Sequence, residues 1–524
     1  LVALQAADEV PSNTVERPSF SWGAGGYGED SSVGGKAANK RLRDYTEPVR
    51  KFASEFQNST PDIDAGEAFL PQLQDLRRAI TIAVADDTDS MVLSDAWDQL
   101  ADACSILANL STLRCSEELG VFVRAVLLEA SEHPDPQPTP DADERFTDAS
   151  WGRPAARIVA ARGILCLVSN AECADAAVLG ALDRLSRDPD PAVRFQVIRS
   201  LHWLKKLHAE HCWDMIERTA AEEPSLGVLL GLVQGPLYAL RFDDPERVML
   251  SVIRVFERLT NRDDAEGVRE HSIQILVWIY LWKDLQPARD LIGAIADHPL
   301  RHLDAATHLV RFLRVIVIHG PTDGSEPQAD RARERGFDLL LRTTRAARGA
   351  LQSSTEVRGD EASLEISREE IRSLVHILDS VGAALYFESG AYKGNQHRPV
   401  AEAVQARLLD EALPIVDELA DVGVARLAHY LFETLEELVP YNPRGVFLRI
   451  AAVIRGGKKS GYQYDSMAEK VLVRTVERYL ADYRGIFQDD EQLRRALVEI
   501  LYTFVGAGSQ GARRLTYGLA EIFR

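Results

Sequence analysis

Residues 181–204 read ALDRLSRDPDPAVRFQVIRSLHWL. Two apolar runs at helical spacing flank a turn holding Asp188, Pro189, Asp190 and Pro191. An aspartate ahead of a helix accepts from the N–H groups that the first turn leaves unpaired, and proline suits that turn because it has no N–H to satisfy. Arg194, just beyond, is placed to bridge to an acid of a neighbouring unit. The stretch therefore predicts an antiparallel helix pair joined by an Asp-Pro turn.

Outward from this unit the pattern recurs. Residues 155–167 (AARIVAARGILCL) align without gaps on 192–204 (AVRFQVIRSLHWL), 37 residues later (192 − 155), with Arg157 and Arg162 matching Arg194 and Arg199. A further copy, GVREHSIQILVWI, starts at Gly267 and contains Arg269, 75 residues on from 192 (267 − 192). Arg311, in HLVRFL, falls 112 residues after Arg199 (311 − 199), and LLGLVQGPLYAL at 229–240 occupies the intervening slot without arginines. A period near 37 residues, one helix pair per period, is the sequence mark of an α-solenoid, in which each pair completes its core only by stacking on the next. Arginines that repeat with the scaffold are expected to serve the scaffold.

The 181–204 unit resembles the HEAT repeat: a leucine-rich first helix, an Asp-Pro turn, then Val-Arg opening the second helix. The resemblance implies that Asp188 and Arg194 belong to a ladder linking successive turns, with Arg157, Arg162, Arg199, Arg269 and Arg311 as its neighbours. Together with ASWGRPAARIVAARGILCL and the C-terminal GARRLTYGLAEIFR, this texture is similar to the helical-repeat portions of large bacterial STAND-type NTPases. That likeness implies a ligand-sensing region of a larger defence protein. No nucleotide-binding motif accompanies it here.

The expected architecture is all-α: an α-solenoid of HEAT-like helix pairs at 154–318 with irregular helical flanks. Residues 1–36 are rich in Gly, Ser and Pro and predict a disordered or linker segment. Residues 37–131 predict an N-terminal helical region, and 132–153 an exposed, acidic connector marked by Pro134, Pro136, Pro138 and Pro140. Residues 319–333 predict a loop and 334–524 a C-terminal helical continuation.

Composition narrows the function classes. The 524 residues carry a formal charge of −20 and a pI of about 5.1, which disfavours nucleic acid and anionic membrane unless a local basic patch intervenes. The most apolar run, Ile273 to Trp282, is half the length a bilayer requires. No signal peptide is evident. Cys104, Cys115, Cys166, Cys173 and Cys212 have no zinc-knuckle spacing and predict reduced thiols in a cytoplasmic protein.

No catalytic motif emerges. Gly23–Gly28 matches G-x-G-x-x-G but lacks a strand before it, and Gly34-Gly35-Lys36 and Gly456-Gly457-Lys458 lack the remainder of a phosphate loop. His208, His211 and Cys212, and likewise His298, His302 and His308, have no further ligand to complete a metal site. No metal, cofactor or catalysis is expected. One basic patch stands out: Arg444, Arg449, Arg455, Lys458 and Lys459, followed by Tyr462 and Tyr464. It would grip an anion, single-stranded nucleic acid or an acidic surface of the same protein. A protein partner, or another part of a longer chain, is the expected ligand.

Overall fold

A computed structural model describes residues 33–56, 59–86, 88–147, 155–260, 262–319, 327–356, 367–392 and 402–522. They contain helices, turns and no strand. Two compact units divide the chain, one running to Ile275 and the other from Leu276.

The first unit contains α1 (Val33–Glu55), α2 (Ile63–Ala85), α3 (Ser90–Ala108), α4 (Glu118–Ala130), α5 (Ala156–Val168), α6 (Ala176–Leu185), α7 (Pro191–Ile198), α8 (Ala209–Glu222), α9 (Leu226–Leu232), α10 (Pro245–Arg258) and the start of α11 (Glu266–Lys283). α1, α3, α5, α7 and α9 pack successively on one another, while α2 packs on α4 and α8 on α10 in a second layer. Because neighbouring helices run in opposite directions, the turns within pairs and the loops between pairs fall on opposite edges. α5 is buried nearly all round, from Ala156 to Val168, because it lies beneath its partner helices and between its layer neighbours.

Local chemistry fixes each boundary. Asp62, Asp89, Asp175, Asp190 and Asp244 each cap a helix by accepting from a first-turn N–H. Gly235, in the wide turn Val233–Leu237 that prolongs α9, lets two helices meet closely. A Cβ there would stand 2.1 Å from the Arg199 carbonyl oxygen.

The second unit contains the end of α11, then α12 (Gln286–Asp297), α13 (Leu303–His319), α14 (Pro327–Glu356), α15 (Arg368–Glu388), α16 (Glu402–Leu419), α17 (Ala425–Leu438), α18 (Pro443–Gly457), α19 (Ser466–Asp482), α20 (Glu491–Gly506) and α21 (Gln510–Ile522). The same alternation holds: α13, α15, α17, α19 and α21 form one layer, and α12, α14, α16, α18 and α20 the other. Each unit is thus a helical solenoid. No described helix is long and apolar enough to cross a membrane.

Four sequence expectations change. Residues 33–36, taken with the linker, begin α1, and residues 1–32 lie outside the described residues. The loop expected to Arg333 ends earlier, since α14 starts at Pro327; an apolar stripe on the far side of a proline reads as a helix start only once its packing partner is known. The HEAT-like block expected over 154–318 spans the division between units, which falls inside α11. Finally, Cys115 and Cys173 form a disulfide, whereas Cys104, Cys166 and Cys212 are buried thiols outside it. The bonded pair sits 58 residues apart in the loops after α3 and α5, which stacking brings side by side. Spacing along a chain cannot reveal such a pair.

Candidate functional site

Three of the arginines singled out by the repeat, Arg157, Arg194 and Arg269, lie at the edge where turns join helices within a pair. Arg157, at the start of α5, places Nε 2.8 Å from the Asp188 carboxylate of the next pair. It also donates to the carbonyls of His133 (2.6 Å) and Pro136 (2.8 Å). Asp188 in turn accepts from the Asp190 N–H, shaping the Asp-Pro turn. Burial first, with the nearby Asp188 charge adding to it, pushes the Asp190 carboxyl above its usual range.

Arg194 repeats this arrangement one pair on. Its guanidinium donates twice to Glu223, at 2.7 and 3.0 Å, once to the Asp188 carbonyl at 2.7 Å, and also to Asp143. Burial acts to lower its pKa, but Glu223 and Asp143 more than offset this and hold it above the usual value. Arg258 continues the row by donating to the carbonyls of Ala220 and Glu223. Arg269, buried in α11, donates to the Leu259 and Arg262 carbonyls.

The other predicted arginines occupy different surroundings. Arg162 reaches from α5 to Asp102 (2.8 Å) and Ser105 (3.1 Å) of α3. Arg199 lies over the Phe195 ring, and Arg311 is exposed on α13. Asp188 and Arg157, and Arg194 and Glu223, are therefore brought together; Arg162, Arg199 and Arg311 are not part of that cluster.

The acidic connector does not stand free. Its described part, 132–147, is tied to this same edge by Arg157 and Arg194, and Ser94 donates to Asp135. At its tip the Phe146 carbonyl accepts from Gly227 N–H (2.8 Å) and Ser225 Oγ (2.9 Å), and the Phe146 ring meets Phe195 edge-on. Most of this stretch is exposed, as its charge and prolines predict; what composition does not show is the arginines that meet it.

The basic patch is largely neutralised from within. Arg455 makes a two-bond contact to Glu499 at 2.8 Å each, Arg449 pairs with Asp417, and Arg444 lies near Asp489 and Asp490. Lys459 donates to the Asp421 carbonyl, and Lys458 is exposed. Tyr462, expected on the patch, is a core residue at 1% exposure, because Gly461 at φ +80° turns the chain and drives it against Gly457. Tyr464 is 71% exposed.

Of the other candidates, His211 and Cys212 have partners within the scaffold. His211 Nε2 lies 3.2 Å from Asp183, and the buried Cys212 thiol donates to the Leu201 carbonyl. Among the described residues no cluster of His, Cys, Asp and Glu is arranged around a metal position.

Sequence reasoning missed one cluster altogether. In the second unit Arg333 of α14 donates to Glu388 (2.5 Å) and Glu411 (2.9 Å), and Arg407 joins Glu411 to Asp330. Burial raises the Glu388 carboxyl, against the pull of Arg333. Nothing in RARERGFDLL marks Arg333 above its neighbours; only an inward phase among exposed charges would have hinted at it.

No known family pattern matches this chain, and no curated protein matches it. Among solved structures it is similar to an engineered protein (12% identity, covering 90% of this chain and 96% of that one, TM-score 0.18). It is also similar to a circular tandem repeat protein (16%, 94% and 96%, TM-score 0.23) and to a chain of the SYS-1/POP-1 complex (10%, 90% and 99%, TM-score 0.23). Overlaps at TM-scores this low establish no relationship.

Proposed function

We propose that this chain is a protein-interaction or ligand-sensing solenoid with no catalytic chemistry of its own. The observation that supports it is the disposition of its buried ionic groups. Arg157, Arg194 and Arg333 each meet acids of adjoining helix pairs, rather than converging with them on a cleft. Stacked pairs of this kind offer an extended surface, and extended surfaces are used for binding. The similarity of the repeats to those of STAND-type NTPases carries the proposal one step further: the array senses a ligand on behalf of a nucleotide-hydrolysing module.

The test is reconstitution. A partner mixed with the purified chain should co-elute at fixed stoichiometry, measured by light scattering, and its binding should alter nucleotide hydrolysis by the associated module. Co-elution without any effect on hydrolysis overturns the sensing role but keeps the scaffold. Turnover of a substrate by the chain alone overturns both.

A further inference from the structure

The turns joining helices within a pair are short at residues 186–190 and 223–225, yet the corresponding turn between α4 and α5 runs from 131 to 155. Its described part carries Glu132, Asp135, Asp141, Asp143 and Glu144 against Arg145. It lies on the arginine-lined edge of the next two pairs. Asp143 pairs with Arg194, the Phe146 carbonyl takes two donors, and the Phe146 ring meets Phe195 edge-on. A charged side chain, a main-chain carbonyl and an aromatic ring, each met by its complement, make up the contact set by which a short peptide is recognised.

The two ends of the segment are held differently. Its root is fixed by buried Arg157 through the carbonyls of His133 and Pro136. Its tip could leave without stranding a buried charge, because Arg194 keeps both bonds to Glu223 and its bond to the Asp188 carbonyl. Among the described residues Arg145 bonds inside the segment, to Thr139 and Asp141. A buried cation whose needs are already met elsewhere makes the Asp143 contact exchangeable rather than obligatory.

We propose that residues 141–146 are a peptide ligand held by its own chain, and that the seat formed by Arg194, Phe195, Ser225 and Gly227 accepts an acidic Asp-x-x-Phe segment of a partner protein in its place. The inference rests on the interaction-scaffold function proposed above and specifies its partner chemistry. A tethered segment has an effective concentration of order millimolar, so an incoming peptide must outcompete that or be aided by contacts elsewhere.

The experiment uses the full chain and a labelled peptide of sequence TPDADERFT, followed by fluorescence anisotropy. A variant carrying Asp143→Asn and Phe146→Ala, with helical content and melting profile checked, should bind the peptide at least tenfold tighter than wild type. A peptide with the same two changes should bind neither. Equal binding to wild type and variant, no binding to a folded variant, or equal binding of the altered peptide overturns the proposal. Should the variant fail to fold, proteolysis of the wild type decides: excess peptide should speed cleavage within 132–147, and an unchanged rate overturns it. A partner whose binding is indifferent to Asp143→Asn and Phe146→Ala defeats this inference but leaves the scaffold function standing. The absence of any partner defeats that function.

Discussion

The two units use the same alternating layers but join them differently. In the first, an arginine at the start of one inner helix reaches an acid about one repeat away: Arg157 to Asp188, 31 residues on, and Arg194 to Glu223, 29 residues on. In the second, Arg333 reaches 55 residues to Glu388 and 78 to Glu411, from the 30-residue helix α14. Short regular turns keep a ladder in step with the repeat. Long helices and long connections let the same ionic chemistry sit anywhere along an element, where no period records it.

The difference can be broken from either side, and the largest expected effects come from the buried cations. Arg194→Ala leaves Glu223 buried without its partner, and Arg333→Ala does the same to Glu388. Each should cost about 3–5 kcal/mol in its own unit, read as a shift of one calorimetric transition and not the other. A common loss from both transitions would show that the units do not unfold separately. Opening the Cys115–Cys173 disulfide comes next. Cys115→Ser should destabilise the first unit by about 2–4 kcal/mol, since it closes a 58-residue loop, and leave the second transition in place. Equal melting under reducing and oxidising conditions would count against the bond in solution.

Each unit also contains a glycine at a close approach of backbones, Gly235 in the first and Gly456 in the second, and these two can be compared directly. A Cβ at Gly235 would stand 2.1 Å from the Arg199 carbonyl oxygen, and one at Gly456 1.9 Å from that of Ala420. Gly→Ala at either should cost about 1–3 kcal/mol by forcing backbones apart. A chain tolerant of both would have looser layers than these distances allow. In the first unit a smaller effect is expected from pH. Burial, and then Arg199, lower His202 to about 4 from its ordinary 6.5. A depressed pKa means that stability is fully present above 6.5 and lost as pH falls through 4, so His202→Gln should flatten the acid limb of the first transition by about 1–2 kcal/mol. At the bottom of the scale, Arg455→Gln removes an exposed pair with Glu499 and should change stability by less than about 1 kcal/mol.

Much of this was legible in the sequence. The helices before Ser131, the Asp-Pro turn with its caps, and the joining of Arg194 to an acid of the next helix pair all follow from local spacing and capping chemistry. What was illegible depends on neighbours that only folding supplies. Cys115 and Cys173 meet because two loops stack. Arg333 is buried because three helices converge on it. Tyr462 turns inward because Gly461 reverses the chain, though its surroundings in sequence are those of a basic surface loop. The acidic connector is exposed over most of its described length, as its composition predicts, but where it docks depends on what it finds opposite.

The Cys115–Cys173 bond and the arginine row lie on opposite edges of the first unit, because loops between pairs and turns within pairs alternate sides. One edge is sewn by a covalent stitch and the other laced by ion pairs that can stretch and re-form. A reductant therefore loosens one margin and leaves the other, the one on which the acidic tip rests, as it was.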